Sequence, residues 1–95
     1  MAEYRLSNVA KEDLIRIHQY GVNRFGMDQA DFYFNSLFEY FDIIAQRPFS
    51  FESVDFIKPG YRRAVFGSDS IYFRVEVDIV DIMAIVGKQD LSNLL

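Results

Sequence analysis

The stretch that most constrains the fold is residues 57–76, IKPGYRRAVFGSDSIYFRVE, in which two runs of alternating apolar and polar residues flank a turn. Pro59-Gly60 precedes the first run, Tyr61 to Phe66, and the second run extends from Ile71 to Val77. Side chains in a strand alternate between two faces, and Gly, Ser and Asp between two such runs are typical of a hairpin connection. The stretch therefore predicts a β-hairpin with residues 67–70 as a four-residue loop.

A four-residue loop fixes which residues of the two strands pair. It predicts Phe66 opposite Ile71 and Arg63 opposite Arg74. The same register also pairs Ala64 with Phe73 and Arg62 with Val75. Two arginines directly opposite each other destabilise a sheet unless an anionic group is close by. We therefore expect the polar face to contact an anionic partner, unless Glu76 and Asp81 already neutralise both arginines as an internal ion-pair cluster.

The composition predicts one domain, residues 1–95, with ample apolar material for a single core. The absence of cysteine excludes disulfides and thiol chemistry. No apolar run approaches the roughly 18 residues of a membrane span, and the N-terminus lacks the apolar region of a signal peptide. We expect a soluble, cytoplasmic protein that does not bind membranes.

The net charge of −4 argues against direct nucleic-acid binding through a broad basic surface. Its distribution is uneven, because residues 57–76 hold four basic against two acidic residues. The predicted hairpin is thus a basic island in an acidic chain, although a window this short can also reach such a balance by chance.

A first helix is predicted over residues 8–25. Its N-cap is Ser7 or Asn8, and Gly26 follows it as a position free to adopt positive φ. A buried stripe at helical spacing consists of Ala10, Leu14, Ile17 and Gly21. The side chains expected to face water are Lys11, Asp13, Arg16 and Gln19.

A second helix is predicted over residues 28–46, where apolar residues recur at helical spacing before Pro48. The very short connection makes the two helices antiparallel. Extra aromatic residues make this helix apolar nearly all round, so it either packs between the first helix and a sheet or leaves a groove for another chain. The candidate contacts in such a groove are Phe34, Phe38 and Tyr40.

The remaining segments predict strands at Tyr4 to Leu6 and at Val80 to Val86, with an irregular crossing segment over residues 47–60 and a turn at Asp78-Ile79. The order β-α-α-β-β-β predicts an α+β fold, in which an antiparallel helical hairpin packs on a three- to four-stranded antiparallel sheet. The expected core face carries Ala64, Phe66, Ile71, Phe73, Val75, Ile82, Ala84 and Val86.

Catalytic and metal-binding patterns are absent from the sequence. His18 is the single histidine, it lies beside an apolar stripe, and we assign it no role. The sequence contains no glycine-rich phosphate loop, no nucleophile elbow and no cluster at metal-ligand spacing. We therefore expect no cofactor and no metal.

The element order and several short motifs resemble the ParE family of bacterial toxins, in the RelE/ParE superfamily. The motifs are YRLS at residues 4–7, RFG at 24–26, AQRP at 45–48, GYRR at 60–63, Gly67-Ser68 and YFRV at 72–75. Together they span nearly the whole chain in the family's order. The chain departs from the family in its third predicted strand, where Ala84 and Gly87 stand in place of an R-x-x-H pattern.

The resemblance implies the toxin component of a type II toxin–antitoxin system, with a RelE/ParE-like fold. It further implies that a ParD-type antitoxin neutralises the protein in a hetero-oligomer and that the target is DNA gyrase. The family's sheet arginines match Arg63 and Arg74, and the cations expected to contact the target are Arg62, Arg63, Arg74 and Lys88.

Two alternatives stay open beside a gyrase inhibitor that is not an enzyme. The related RelE branch implies a ribosome-dependent mRNA endoribonuclease, which needs a base, an acid and several cations on one face. Tyr61 or Tyr72 could transfer a proton there. The other alternative is an inactive relative that is retained for antitoxin binding or autorepression.

Overall fold

Within residues 3–87, the part of the chain that the computed structural model describes, the chain forms two long helices and five strands. In order, the elements are β1 (Tyr4–Leu6), α1 (Asn8–Phe25), α2 (Met27–Gln46), a single 3₁₀ turn (Pro48–Ser50), β2 (Glu52–Ser53), β3 (Tyr61–Phe66), β4 (Asp69–Glu76) and β5 (Ile79–Gly87). Neither helix in this range is long and apolar enough to cross a membrane.

The strands form one sheet with the order β1-β5-β4-β3-β2. β1 pairs with β5 in parallel, and the other neighbours are antiparallel. The helices pack on one face, so the predicted α+β class with a helical hairpin on an antiparallel sheet is confirmed. The strand count differs, because β2 lies in the segment that was predicted to be irregular and extends the sheet beyond β3.

The helical hairpin has nearly the predicted bounds because its end signals are strong. Ser7 is the N-cap of α1, and its Oγ accepts a hydrogen bond from the N–H of Ala10 at 3.0 Å. Gly26 is the single connecting residue, and its φ of 94° confirms the predicted positive value. A Cβ on Gly21 would lie 3.2 Å from the Cβ of Ala30, so a small residue is required where the helices approach.

The connection between β3 and β4 is shorter than predicted. Gly67 and Ser68 alone form it, and Phe66 lies opposite Asp69. Gly67 has φ of 58°, the positive value that a II′ turn requires at its first central position, and a Cβ there would lie 2.7 Å from the Tyr33 hydroxyl. The prediction of a four-residue loop was therefore wrong. Because the register shifts by an even number of residues, each side chain keeps its predicted face.

A β-bulge in β5 changes the predicted core. Tyr72 pairs with Ala84 but Phe73 pairs with Ile82, so Met83 is an extra residue in its strand. Beyond the bulge the alternation reverses, and Ile85 is fully buried. The prediction that Ala84 and Val86 occupy the core face is wrong for this reason.

The core lies between the helical hairpin and the inner face of the sheet. The largest fully buried side chains are Phe41, Phe73, Leu37, Ile44, Ile71, Ile82, Ile85 and Val54. Of the predicted core residues, Ala64, Ile71, Phe73 and Ile82 are buried, and Phe66 and Val75 pack against them while partly exposed.

Ser7, the N-cap of α1, and polar side chains of α1 itself bind the backbone of β5 next to the bulge. Ser7 Oγ donates to the carbonyl of Met83 at 2.8 Å, and the Asp13 carboxylate accepts from the N–H of Ile85 at 2.9 Å. Arg16 donates to the carbonyl of Ile85 at 3.3 Å. Asp13 therefore turns toward the sheet, and the prediction that it faces water is wrong.

Replacing Phe73 with alanine tests the assignment of the sheet faces. Phe73 is fully buried and its ring centroid lies 5.9 Å from that of Phe51. Phe73→Ala should lower the free energy of unfolding by roughly 3 to 5 kcal/mol, a large part of the ~5 to 15 kcal/mol of a typical domain. Val65→Ala is the control, because Val65 is 60% exposed on the other face. Urea unfolding in which both variants lose equal stability would contradict the assignment.

Candidate functional site

The sheet face away from the helices, called the open face below, carries alternating tyrosines and arginines. Arg63 lies opposite Tyr72, and Arg74 lies opposite Tyr61. The two arginines are thus diagonal neighbours, and the prediction that they oppose each other directly is wrong because the turn has two residues. Each arginine has an aromatic side chain across from it instead of a like charge, which removes the predicted repulsion.

Arg63 is paired with a residue of the strand that the sequence did not predict. Its Nε and Nη2 donate to the same oxygen of Glu52 at 3.1 and 2.8 Å. This hydrogen bonding, with a smaller contribution from Tyr72, raises the pKa of Arg63 above its usual value. Glu52 of β2 therefore neutralises Arg63, in place of the expected Glu76 or Asp81.

Arg74 belongs to a cluster of four charges at the other end of the open face. Its Nε lies 3.0 Å from Glu76 Oε1 and 3.7 Å from Asp81 Oδ2. Asp81 also accepts two hydrogen bonds from Arg5, at 2.6 and 3.1 Å. The bond from Arg5 is the main reason that the pKa of Asp81 is lowered. The predicted ion-pair cluster thus exists around Arg74, and Arg5 is the member that sequence reasoning missed.

Of the other two predicted cations, Arg62 does not join this surface. Arg62 lies at the β2–β3 edge, where it donates to the carbonyl of Phe51 at 2.7 Å and its guanidinium lies 4.9 Å from the centre of the Phe49 ring. It therefore points to the helix side of the sheet, away from Arg63 and Arg74. Lys88 lies outside the described residues.

The three aromatic residues predicted to contact a partner lie on two flanks of α2. The rings of Phe34 and Phe38 are 5.0 Å apart in an edge arrangement, and His18 packs on Phe34 from α1. Tyr40 lies on the other flank, 4.9 Å from the ring of Phe66. All three are partly exposed while packed against the core. Phe34 and Phe38 form one surface, and Tyr40 belongs to another.

A separate apolar groove of about 530 Å³ lies where the helical hairpin meets the β3–β4 turn, and we call it the hairpin-end groove. Tyr20, Phe25 and Phe32 line it with 41%, 64% and 72% of their surface exposed. Ala30 also lines it, and Tyr33 and Asp69 border it, joined by a hydrogen bond. That bond and the burial of the ring raise the pKa of Tyr33, with burial the larger cause. Sequence reasoning missed this groove, although the off-stripe aromatic residues and Gly21 were signals of it.

His18 bonds Asp31 of the facing helix, with 2.7 Å between Nε2 and Oδ1. Within residues 3–87, no three His, Cys, Asp or Glu side chains converge in the way that a metal site requires.

The fold is shared with a known toxin–antitoxin structure. The solved structure entitled "Chromosomal ParDE TA system from P. aeruginosa" superimposes with a TM-score of 0.80, over 92% of this chain and 96% of that chain, at 21% sequence identity. At this identity the likeness shows a shared fold, a helical hairpin packed on one face of a sheet.

Sequence relatives define the family. Toxin ParE1 of Caulobacter vibrioides is 37% identical over 79 residues, which cover 83% of this chain and 82% of the relative. Toxin ParE1 of Mycobacterium tuberculosis is 33% identical over 86 residues, 86% of this chain and 88% of the relative. The family model described as "ParE toxin of type II toxin-antitoxin system, parDE" matches residues 4–91. The chain belongs to the ParE toxin family of type II toxin–antitoxin systems.

The Asp81 cluster makes a prediction about stability at acid pH. Because the pKa of Asp81 is lowered in the folded state, its carboxylate stabilises the fold above about pH 4, and this stability is lost as the pH falls through the lowered value. Asp81→Asn should reduce the free energy of unfolding at pH 7 by about 1 to 2 kcal/mol, since Arg5 is largely exposed and can be rehydrated.

Urea unfolding at a series of pH values measures this effect. The Asp81→Asn variant and the parent should converge toward pH 2, whereas Glu39→Gln, at an exposed position of α2, should follow the parent throughout. A deficit of unchanged size at every pH would mean that Asp81 acts through its shape and not its charge.

Proposed function

We propose that this protein is a toxin that inhibits DNA gyrase in the cytoplasm by binding to it, without turnover, and that a ParD-type antitoxin neutralises it in a hetero-oligomer. Membership of the ParE family supports the toxin role. The open face is the proposed surface for the target, and the helical hairpin is the proposed surface for the antitoxin.

The observation that supports target binding is that Arg74 can exchange its ion pair with Glu76 for one with a target. Its partner Glu76 is 43% exposed at the side chain and Arg74 itself is 46% exposed, so their contact is a surface pair worth about 0 to 1 kcal/mol. Asp81 keeps Arg5 at 2.6 Å if Arg74 turns away from its own 3.7 Å contact. Arg74 can therefore leave Glu76 at little cost in free energy. Its planar guanidinium group can then bind a carboxylate or phosphate through two parallel hydrogen bonds.

The surroundings of Arg74 resemble those of residues that dominate protein interfaces. Tyr61 lies across from it, and Tyr72 lies across from Arg63. Tyrosine and arginine are enriched at the centres of interfaces, where an aromatic ring adds apolar contact beside a charged group. Val65, 60% exposed on the same face, extends the apolar contact toward the β3–β4 turn.

The position of His18 favours binding over ribonuclease chemistry. A nuclease needs a general base and acid within reach of the cations that hold the phosphate. His18, the single histidine of the chain, lies between the helices, where it bonds Asp31. The sheet separates it from Arg63 and Arg74. The tyrosines of the open face remain as proton donors in that alternative, with no imidazole beside them.

For the antitoxin we propose docking on the surface of Phe34 and Phe38. Residues four apart lie on one side of a helix, and these two rings form a half-exposed edge between α1 and α2. An amphipathic segment binds such an edge in the helix-in-groove mode, and an extended continuation would pair with a free edge strand such as β2. Tyr40 lies on the other flank of α2 and takes no part in this contact.

Two substitutions should separate the two surfaces. Arg74→Glu should fold and bind antitoxin with unchanged affinity but no longer arrest growth or accumulate gyrase-linked DNA breaks, because its charge then repels an anionic target. Phe34→Ala should stay toxic and lose at least tenfold in antitoxin affinity, about 1.4 kcal/mol. Growth assays, gyrase cleavage assays and titration calorimetry measure these effects.

Arg47→Glu is the matched control, because it makes the same charge reversal at an exposed position outside the open face. Circular dichroism checks that each variant is folded. A folded Arg74→Glu protein with full toxicity would remove the open face from the mechanism. Specific cleavage of ribosome-bound mRNA that is lost in Arg74→Glu would establish the ribonuclease alternative instead.

A further inference from the structure

Helix α2 carries the whole excess of negative charge in this protein. Residues 27–46 contain four acidic and no basic residues, whereas the rest of the chain contains ten of each sign. The four are Asp28, Asp31, Glu39 and Asp42, spaced i, i+3, i+11 and i+14. This spacing places them in one line along the helix, with Asn35 in the gap. We call the four acidic residues the acidic stripe.

The acidic stripe faces water and has little positive charge beside it. All four of its side chains are exposed. Within residues 3–87, the one basic side chain at ion-pair distance from the stripe is His18, which bonds Asp31. Glu39 and Asp42 are three residues apart, a spacing at which like charges repel each other on a helix surface. The stripe therefore destabilises the free helix, and a cationic partner would remove this repulsion.

The stripe borders the surface proposed for the antitoxin. Asp31 precedes Phe34 by three residues, and Asp42 follows Phe38 by four. Residues at these spacings are neighbours on a helix surface, so each carboxylate lies next to one ring of the Phe34–Phe38 edge. On the opposite side of the edge lies α1, whose His18 packs on Phe34 with 5.2 Å between the ring centroids. The apolar edge thus has an acidic border on its α2 side.

The length of the stripe indicates the kind of partner that it fits. From Asp28 to Asp42 the helix rises about 21 Å, at ~1.5 Å per residue. In the described part of the chain, no three His, Cys, Asp or Glu side chains converge as a metal site requires. Charges spread over this length match the cations of an elongated polypeptide, and the aromatic edge beside them fits apolar side chains of the same polypeptide.

We propose that the antitoxin segment that docks on the Phe34–Phe38 edge is a basic amphipathic helix, whose Lys or Arg side chains pair with the acidic stripe. This inference rests on the antitoxin surface proposed above and names the chemistry of its occupant. A helix of about 14 residues spans the stripe. Its apolar side packs on Phe34 and Phe38, and the cations on its outer flank reach Glu39 and Asp42. An acidic segment with the same apolar residues would be repelled, so the stripe also selects among antitoxins.

Neutralising the stripe tests the proposal. The probe is the full-length antitoxin encoded with this toxin, titrated by calorimetry. Glu39→Gln combined with Asp42→Asn should lower its affinity at least fivefold at about 50 mM salt, because two carboxylates no longer attract its cations. Raising the salt to about 500 mM should weaken the parent complex, and it should weaken the complex of the double variant much less.

The matched control is Glu12→Gln combined with Asp78→Asn, which removes the same charge at exposed positions outside α2. It should bind antitoxin as the parent does, and circular dichroism should show the same fold for all variants. Unchanged affinity in the stripe variant, together with weaker binding by Phe34→Ala, would overturn the basic segment and leave the antitoxin surface in place. Tighter binding by the stripe variant would also overturn it, because the docked segment would then be acidic. Full affinity in Phe34→Ala would contradict the antitoxin surface itself, and this inference with it.

Discussion

Helix α1 closes the edge of β5 that β1 leaves uncovered, and the arrangement of both layers depends on this contact. β1 pairs with only three residues of β5. Beyond them, Ser7 binds the carbonyl of Met83, and Asp13 and Arg16 bind the N–H and carbonyl of Ile85. Without these side chains the backbone groups would be unpaired, at a cost of about 1 to 3 kcal/mol for each buried group. The exposed edge would also be open to pairing with another chain.

The same contact explains how the open face acquires its composition. The bulge at Met83 returns Ile85 to the core under α1 and turns Ala84 to the open face, where it lies opposite Tyr72. Before the bulge, Asp81 points to the open face and holds Arg5 and Arg74 together. Small and charged residues therefore surround the tyrosines on one face, while the helices bury the apolar face. The two proposed functions are divided in the same way: the target is proposed to bind the open face, and the antitoxin is proposed to bind the helical layer.

Helix bounds and the faces of β3 and β4 could be predicted because they depend on local periodicity. Ser7, Gly26 and Pro48 mark the helix ends. Ala64 and Phe73 both stay on the core face when the register between β3 and β4 shifts by two residues. The register between β3 and β4 was harder to predict, because it depends on the φ angle of a single residue, Gly67. The sequence Gly67-Ser68-Asp69-Ser70 is compatible with a loop of four residues or of two, and the positive φ of Gly67 together with the proximity of Tyr33 selects two.

The candidate sites were less predictable because they arise from tertiary contacts. Residues 82–86 are all apolar, so the bulge at Met83 leaves no signal in the sequence, and Ala84 and Val86 were assigned to the wrong face. Glu52 and Arg5 approach Arg63 and Asp81 only through strand pairing across many residues. The hairpin-end groove likewise combines residues of α1, α2 and the β3–β4 turn.

Site-specific photo-crosslinking to gyrase tests the central claim, that the open face binds the target. A photoreactive phenylalanine analogue at position 72 lies at the centre of that face, and the same analogue at position 56 lies on an exposed loop. We expect crosslinks to gyrase from position 72, abolished by Arg74→Glu, and none from position 56. Crosslinks from position 56, or from position 32 in the hairpin-end groove, with none from position 72, would contradict the claim.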